Sequence, residues 1–462
     1  MLLAKTRTDK VRQLQRVLYQ KAKSGKGVKF YSLYDKICRE DVLWEAWQQV
    51  KANRGAAGVD EQEIEDIVRG EKEEKILLEI GKSLRSKTYH PSPVRRVDIP
   101  KPKGGMRSLG IATVRDRIVQ TAMKMVLEAI FEADFHECSY GYRPNRDAKM
   151  ASLQVREDLY KTAWGVVEID FKDCFGSISH RNLLLLIGQR VSDGSMMALI
   201  KQCLKAGVEY QGQRFPTKVG IPQGSPLSPL FSNIYLNVLD QAWHRRGYHL
   251  PDNLHSTLHR YADDAILVCR KSGKQALQAF AALAKRMGLT LNEEKTRITK
   301  LTEGFDFIGF KFVKRKSPST GKNTIYIFPS QSTQKNIRRK IKSFTKRRAP
   351  IKVEEFVAMV NEAVRGWANY FRHANASEAF RRLQRFINIR FRRFLTYRGK
   401  DRGFGWKKYP NRKLYQLGLI YIGSGYLRWE KARRMPAMKA VRPPYSGKLN
   451  VRWDGKGMVN QS

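Results

Sequence analysis

The sequence predicts an α+β fold. Apolar residues recur at the spacing of helices over long stretches, such as residues 113–133, 181–206 and 274–287. Strand-like runs lie between these stretches, at residues 94–100, 106–111, 165–170, 260–269 and 305–312. Helices and strands mixed in this way imply an α+β core.

The first two strand-like runs form a predicted basic hairpin. Residues 94–100 alternate apolar and polar side chains, residues 101–105 supply the proline and glycines of a turn, and residues 106–111 return as a second strand. Further helices are expected over residues 34–90 and, near the C-terminus, around Trp367 and over the Arg-rich residues 380–398.

The charge of the chain indicates a polyanionic partner. The 462 residues include 88 Lys and Arg against 43 Asp and Glu, a formal net charge of +45. Nucleic acid is the favoured partner, and a ribosome-like structural role or an anionic membrane surface are the alternatives. No acidic residue lies between Asp306 and Glu354, so we expect both a boundary and a nucleic-acid surface there. No apolar run approaches the ~20 residues of a membrane span, so a membrane-spanning protein is not expected, and no membrane is included among the predicted partners.

The N-terminal residues and the cysteines indicate the cellular compartment of the protein. Residues 5–26 are basic with an apolar helical face at Val11, Leu14 and Leu18, which fits an RNA-binding helix better than an organelle transit peptide. The five cysteines are widely spaced and contain no C-x-x-C pair that would suggest a zinc site or a disulfide framework. A cytoplasmic location is expected, with organellar import as a minor alternative.

Three carboxylates are the candidate catalytic residues. Asp170 ends an apolar strand, and Asp263 and Asp264 lie at or near the tip of a predicted hairpin. A turn alone would explain an isolated Asp pair. If Asp170 lies beside that pair, however, a bound cation is needed to relieve the repulsion, and Mg²⁺ suits few carboxylates plus substrate phosphates. Two such ions ~3.5–4 Å apart support phosphoryl transfer. We expect Asp263 to face the metals and Asp264 to support it.

Seven sequence blocks, in order, resemble the reverse transcriptases encoded by group II introns, and the likeness covers about residues 34–430. The blocks are IPKPKGGMRSLGI (99–111), SYGYRPNR (139–146), the strand ending at Asp170, GIPQGSPLSP (220–229), YADD (261–264), LTLNEEKT (289–296) with FIGF (307–310), and GWANYF (366–371). The last resembles the maturase, or X, domain, which separates this family from retroviral enzymes.

The resemblance implies a right-hand polymerase. Its expected parts are a basic N-terminal extension (1–33), fingers (34–160), a palm with the catalytic site (161–312), an α-helical thumb or maturase X domain (313–398) and a basic C-terminal nucleic-acid-binding region (399–462). The implied cofactor is a pair of Mg²⁺ ions, for which Mn²⁺ can substitute, with Phe171 joining the three aspartates as a ligand. The implied partners are the intron RNA, an RNA template with a DNA primer, dNTPs and target DNA.

The resemblance also implies roles for individual side chains. The nucleotide would be bound by Lys101, Arg107, Phe171, Phe175, Gln223 and Lys295. Nucleic acid would be bound by Arg143, Arg338, Arg339, Arg382 and Arg392, although a structural salt bridge is equally expected at Arg143. The aromatic residues after 399, such as Trp406 and Trp429, suit either stacking on single strands or a core.

Two features set this chain apart within the family. Where two aromatic residues commonly follow the first catalytic aspartate, this chain has Cys174 and Phe175, and either position is a candidate sugar gate. No His and Cys cluster of the kind found in the family's HNH endonuclease domain follows residue 400, so a DNA-cutting domain is not expected, as in compact bacterial members.

The sequence therefore predicts an RNA-directed DNA polymerase that also helps its intron RNA to splice and move. One alternative is a splicing cofactor with a vestigial polymerase site, although retention of Asp170, Asp263 and Lys101 argues against it. The other is a reverse transcriptase recruited to defence or repair, which would keep the same active site.

Overall fold

The computed structural model describes residues 2–25, 27–100, 105–161, 164–345, 350–400 and 402–423. Lys101 and Trp429 therefore lie outside the described residues, as does most of the predicted C-terminal region. The predicted α+β class is confirmed: helices pack on separate, mainly antiparallel sheets.

The N-terminal third is mostly helical. Its elements are α1 (Leu2–Lys23), α2 (Tyr34–Ile37), α3 (Glu40–Asn53), α4 (Ile64–Arg69), α5 (Glu73–Arg85), β1 (Val94–Pro100), β2 (Met106–Ile111), α6 (Val114–Phe131) and α7 (Ala148–Tyr160). Helix α1 buries Val11 and Leu18 in the same core as α3 and α6, while its basic residues Lys10 and Arg12 remain exposed. Strands β1 and β2 form the predicted basic hairpin, in which Ile99 pairs with Arg107.

The middle third carries the sheet that positions the candidate site. Its elements are β3 (Gly165–Ile169), α8 (Cys174–Ser177), α9 (His180–Gly188), α10 (Gly194–Lys205), β4 (Val208–Tyr210), β5 (Gln213–Phe215), α11 (Ser228–Arg245), β6 (Ser256–Tyr261), β7 (Asp264–Cys269), α12 (Gly273–Arg286) and β8 (Arg297–Lys300). The order of strands in this sheet is β6-β7-β3-β8, all antiparallel. Strand β4 instead joins β1 of the hairpin in parallel.

This sheet separates two hydrophobic cores, one on each of its faces. Because successive side chains of a strand point to opposite faces, Val167 and Leu267 enter the core formed with the N-terminal helices. Val166 and Val268 enter a second core with the C-terminal elements. Strand β3 is thus buried on both sides, which explains why it reads as an apolar run broken only by Glu168.

The C-terminal third is a small sheet followed by helices. Its elements are β9 (Phe305–Phe307), β10 (Phe310–Lys316), β11 (Asn323–Pro329), α13 (Gln331–Phe344), α14 (Val353–Phe371), α15 (Ser377–Arg398) and α16 (Asn411–Gln416). Helices α14 and α15 pack through Phe356, Phe391 and Phe394, whose rings stack at centroid distances of 4.9 and 4.4 Å. Leu414 and Ile422 add to the same core.

Residues 260–269 contain the turn between β6 and β7, which confirms the predicted hairpin tip at Asp263 and Asp264. Two other runs that we predicted as single elements are divided in the structure, and the first, residues 305–312, spans β9 and β10. The helical run 181–206 is interrupted because the Asp193 carboxylate caps α10 at Met196 and also accepts hydrogen bonds from the backbone N–H groups of Leu33 and Tyr34. A helix running through residue 193 could not provide that cap.

Two arginines predicted to bind nucleic acid are instead buried and bonded to other residues of the protein. Arg143 forms a buried ion pair with Glu132 (2.6 Å), both side chains being 2% exposed, and it donates to the carbonyls of His136 and Ser139. Of the two roles proposed for Arg143, the structure shows the salt bridge. Arg392 is 1% exposed; it donates to Tyr409 O and its guanidinium lies 3.8 Å from the centroid of the Trp406 ring. Both assignments to nucleic acid are corrected for the same reason, since a buried guanidinium bonded to protein has no face to offer to phosphate.

Candidate active site

The pairing of β3 with β7 brings the three carboxylates together. Ile169 pairs with Ala265, so the next residue along β3, Asp170, comes opposite the end of β7 where Asp264 and Asp263 lie. Asp170 and Asp263 line one large cleft, while Asp170 and Asp264 line a smaller groove beside β9. Asp170 is therefore shared between the two openings, and the charges of Asp170 and Asp263 both act on the carboxyl of Asp264.

The turn that carries Asp263 is a tight reversal. Ala262 has φ +58°, a left-handed backbone conformation that is uncommon for residues other than glycine. Gly141 packs against this turn so closely that a Cβ atom there would lie 2.5 Å from the backbone nitrogen of Ala262. Glycine at 141 is thus required by the approach of the loop containing residues 139–146 to the carboxylate-bearing turn.

A buried polar network holds the turn in place. Arg260 is fully buried and pairs with Asp240 of α11 (2.6 Å), while its remaining terminal nitrogen donates to the carbonyl of Ala262 and to Asn233 Oδ1, both at 2.8 Å. Asn233 Nδ2 in turn donates to the carbonyl of Gly141 (2.9 Å). One helix therefore fixes both the turn and the loop packed on it, and every link in this chain is satisfied as a buried charge requires.

The segment after Asp170 fixes Lys295 beside it. The backbone N–H of Asn292 donates to the carbonyl of Asp170 (2.7 Å), and Phe171 forms a bridge with Leu291. Lys295 Nζ consequently lies 3.3 Å from Asp170 Oδ2, in an ion pair that is largely exposed to the cleft. Surface ion pairs contribute little to stability, so Lys295 is free to exchange this contact for a ligand phosphate.

The surroundings of Asp264 raise the pKa of its carboxyl. Removal from water by surrounding protein atoms raises its pKa to about 6, and the nearby charges of Asp263 and Asp170 act in the same direction. Arg107 opposes the shift, so its guanidinium lies within electrostatic range of the site. The side chain still has an open face to the groove. The carboxyl of Asp264, beside two further carboxylates, forms a site whose negative charge a cation would stabilise.

The large cleft joins this site to the basic hairpin. It has a volume of about 780 Å³ and is lined by residues from both sheets, which include Arg107, Phe171, Cys174, Phe175, Gln223 and Lys295. Phe175 is half-buried at its wall, whereas Cys174 is 4% exposed and burial raises the pKa of its thiol to about 12. The cleft thus collects the described members of the predicted nucleotide-binding set, and Lys101 lies outside the described residues.

The loop around Gln223 is held rigidly to the hairpin. The backbone carbonyl of Gln223 accepts a hydrogen bond from the N–H of Gly110 (2.8 Å), and the Ser225 hydroxyl donates to Gln120 Oε1 (2.8 Å). Gly224 has φ +115° and lies so close to Gly110 that an added Cβ atom would be 2.9 Å from its carbonyl oxygen. A stiff loop spanning hairpin and palm is suited to defining one wall of a binding cleft.

The donors present fit a divalent cation. Carboxylate oxygens from Asp170, Asp263 and Asp264 are hard ligands of the type that Mg²⁺ and Mn²⁺ take, and the open cleft leaves positions for substrate oxygens. The Phe171 carbonyl, predicted as a further ligand, belongs to a residue that lines the same cleft.

Sequence reasoning missed Arg260, Asp240 and Asn233 as residues that support the site. The available signal was a charged residue directly before Tyr261, in a run predicted to join the sheet, because a buried charge needs a buried partner. Asn233 and Asp240 are seven residues apart in α11 and so share one helical face, which is where that partner lies.

Two family models match the chain. One is described as Reverse transcriptase (RNA-dependent DNA polymerase) and covers residues 99–312, which include the cleft and the three aspartates. The other is described as Group II intron, maturase-specific domain, and covers residues 334–413. The chain is therefore a reverse transcriptase whose polymerase domain is followed by a helical maturase domain, and its polymerase family generally uses divalent metal ions.

Curated relatives specify the family. Protein YkfC of Escherichia coli is 36% identical over 269 residues, which are 51% of this chain and 70% of that protein. The Group II intron-encoded protein LtrA of Lactococcus lactis is 40% identical over 215 residues, or 46% of this chain and 35% of LtrA. A Putative COX1/OXI3 intron 2 protein of Saccharomyces cerevisiae is 37% identical, over 36% of this chain and 19% of its own length. The chain belongs to the group II intron-encoded reverse transcriptase and maturase family, and the match spans only about a third of LtrA.

Replacing Asn233 by alanine tests whether the buried network positions the catalytic turn. Loss of its bonds to Arg260 and Gly141 should let the turn shift, lowering kcat by about 10-fold or more with little change in KM, since small displacements of reacting groups are costly. Steady-state primer extension measures both constants.

Asn237, one turn further along α11, is a matched control because it also makes two side-chain bonds to backbone groups, at His136 and Asp134. Asn237→Ala should lose comparable stability and keep kcat. Equal kcat losses in the two variants would show that Asn233 has only a general structural role.

The raised pKa of Asp264 predicts a pH-dependent stability in metal-free protein. A carboxyl whose pKa rises from 3.8 to about 6 on folding stabilises the fold below pH 4, and this contribution is lost as the pH rises through 6. In EDTA, Asp264→Asn should therefore melt at a higher temperature than the wild type at pH 7 but not at pH 4. Mg²⁺ should reduce the difference at pH 7. A difference that is independent of pH would contradict the shift.

Proposed function

We propose that this protein synthesises DNA on an RNA template by two-metal-ion nucleotidyl transfer, using Mg²⁺ held by Asp170 and Asp263. The observation that carries the proposal is that Asp170 and Asp263 line one cleft, with Asp264 in the groove that adjoins it at Asp170. When bound, the ions would activate the primer hydroxyl and stabilise the leaving pyrophosphate. Asp264 adds negative charge from the adjoining groove, and the carbonyl of Phe171 is the proposed additional ligand.

The chain's own residues would orient the incoming dNTP. Arg107 reaches the carboxylates electrostatically from the hairpin, and Lys295 stands 3.3 Å from Asp170, so positive charge lies on two sides of the proposed triphosphate position. We include Lys101 in this set on the strength of its family motif. Gln223, on its fixed loop, would contact the templating base pair.

The basic surfaces are the proposed contacts for the intron RNA and the template–primer duplex. Arg339 is exposed on α13, Arg338 is half-exposed beside it, and Arg382 is exposed on α15 in a surface pair with Glu378 (2.8 Å). Such a pair exchanges readily for phosphate. The exposed cations of α1 add a further surface, so backbone charge and shape, rather than base sequence, would dominate this binding.

Assistance to intron splicing and mobility is part of the same proposal. It is supported by the maturase-specific match at residues 334–413 and by the intron-encoded relatives. We propose a cytoplasmic ribonucleoprotein with intron RNA, acting on target DNA. The five cysteines are all free thiols, which suits a reducing compartment. No helix among the described residues is long and apolar enough to cross a membrane.

Asp263→Ala tests the catalytic proposal. Primer extension on an RNA template with Mg²⁺ and dNTPs should fall by on the order of 1,000-fold, because the variant loses a metal ligand. RNA affinity and intron splicing should be nearly unchanged, since they rest on basic surfaces. Asp252→Ala, in an exposed loop, is the control and should leave all three measurements unaltered. Equal extension by wild type and Asp263→Ala would remove the catalytic assignment, and loss of splicing would contradict the separation of the two roles.

Sugar selection provides a second test, in which Phe175 is the proposed gate. Its half-buried ring is at the cleft wall, whereas Cys174 is nearly inaccessible. Phe175→Val should raise the use of rNTPs relative to dNTPs by about 10- to 100-fold, because removing the ring makes room for the 2′-hydroxyl. Cys174→Ala should leave the ratio of kcat/KM values close to that of the wild type. The opposite pattern would assign the gate to Cys174.

A further inference from the structure

A cluster of metal-binding side chains lies outside the catalytic cleft. His136 and Cys138 follow α6, and His244 is in the last turn of α11. One potential ligand atom from each of these residues lies within 4.8 Å of the others. None of the three lines the large cleft or the groove beside β9, and the polymerase mechanism makes no use of them.

Two nitrogen atoms beside the cluster have no hydrogen-bond partner among the described residues, whereas His136 Nδ1 accepts a hydrogen bond (3.2 Å) from the N–H of Cys138. His244 Nε2 is buried without any hydrogen-bond partner, although buried polar atoms normally have one. A fourth residue, His249, has its ring centroid 4.5 Å from that of His244, and its Nδ1 is likewise buried and unpartnered. The rings of His136 and His244 stack at a centroid distance of 3.7 Å, so one of them would rotate for both to bind the same ion.

The surroundings of the cluster favour neutral imidazole rings at His136 and His244 and a bound metal cation. Burial and the neighbouring histidines lower the pKa of His244 to about 3, and burial also lowers that of His136, so both rings are neutral at neutral pH, as metal ligands must be. The Cys138 thiol is completely enclosed and its pKa is raised by burial and by Asp240. Arg260 and Arg143 face the same sulfur and act in the opposite sense. A dication would offset the cost of ionising this thiol.

We propose that His136, Cys138 and His244 bind a structural Zn²⁺ ion, with His249 or a water molecule as the fourth ligand. Imidazole and thiolate ligands select zinc over magnesium, which prefers oxygen ligands, so this site would not compete for the catalytic ion. The sequence carries the motif as H-x-C at 136–138 and H-x₄-H at 244–249. Binding would release the thiol proton to solvent and form a Zn–S bond, with no change of oxidation state.

The position of the site suggests what the ion would stabilise. The carbonyl of Cys138 accepts a hydrogen bond from the N–H of Arg260 (2.8 Å), and Tyr140 N–H donates back to the carbonyl of Arg260 (2.9 Å). Zinc would therefore fasten the segment carrying Gly141 to the end of α11, behind the turn that carries Asp263. The ion would act on stability and on the placement of that turn, not on the chemistry itself.

Cobalt substitution in the full-length protein tests the proposal. Co²⁺ added to metal-free wild type should bind with one equivalent showing a thiolate-to-cobalt charge-transfer band and tetrahedral d–d absorption, and Zn²⁺ should abolish both. Cys138→Ser should lose the charge-transfer band, and His244→Ala should weaken cobalt binding at least tenfold. Cys203→Ser, which alters a cysteine outside the cluster, and Asp263→Ala, which alters the catalytic site, should both retain the band.

Thermal unfolding of the wild type gives a second readout that needs no variant. One equivalent of Zn²⁺ should raise the midpoint by several degrees, and a chelator should reverse the rise. Absence of a thiolate band from correctly folded wild type would overturn the proposal even if Cys138→Ser fails to fold. Retention of the band by Cys138→Ser would do the same. Neither outcome depends on polymerase activity, so failure here is distinct from failure of the proposed function.

Discussion

Mutual repulsion of three carboxylates is the constraint on which the rest of this structure depends. Asp170, Asp263 and Asp264 are brought together by one antiparallel pairing, and burial, with the charges of the other two aspartates added to it, raises the pKa of Asp264. Such an arrangement is unfavourable in the protein alone and becomes favourable around divalent ions. The fold therefore holds a site that is incomplete without its cations, and the surrounding elements must keep it from relaxing.

A buried polar network prevents that relaxation by holding the turn between β6 and β7 from its buried side. Arg260 enters the core from β6, is neutralised by Asp240 and hydrogen-bonds the carbonyl of Ala262, so the turn is held from its buried side while its carboxylates face the cleft. Removing one member of such a buried pair typically costs ~3–5 kcal/mol, because an uncompensated charge is left behind. The buried pair of Arg143 with Glu132 fixes the adjoining loop in the same manner. Rigid support of this kind lets the open side of the cleft remain free for substrate.

The sequence predicted the parts of the fold that depend on local pattern. The hairpin of β1 and β2 and the strand before Asp170 have strong two-residue or continuous apolar patterns, and their bounds were predicted within a residue. Divisions within longer runs were missed where a tertiary contact decides them. The break before α10 follows from the cap by Asp193, whose partners Leu33 and Tyr34 lie some 160 residues earlier in the chain. Local periodicity carries no information about such a partner.

The residues of the candidate site also differ in how far the sequence could predict them. Acidic residues at the ends of strands were visible in the sequence because a carboxylate beside an apolar run requires an explanation. Arginines were harder to assign, since an exposed cation and a buried strut look alike in sequence: Arg339 is exposed, whereas Arg143 and Arg392 are enclosed by protein. The His and Cys cluster escaped notice because its halves are separated by more than 100 residues.

Anomalous diffraction from crystals of this protein soaked in Mn²⁺ tests the central claim most directly. The account predicts two peaks about 3.5–4 Å apart between Asp170 and Asp263, with carboxylate oxygens of both residues in contact with metal. A map with no manganese between these two side chains, or with Asp170 turned away from residues 263 and 264, would contradict it.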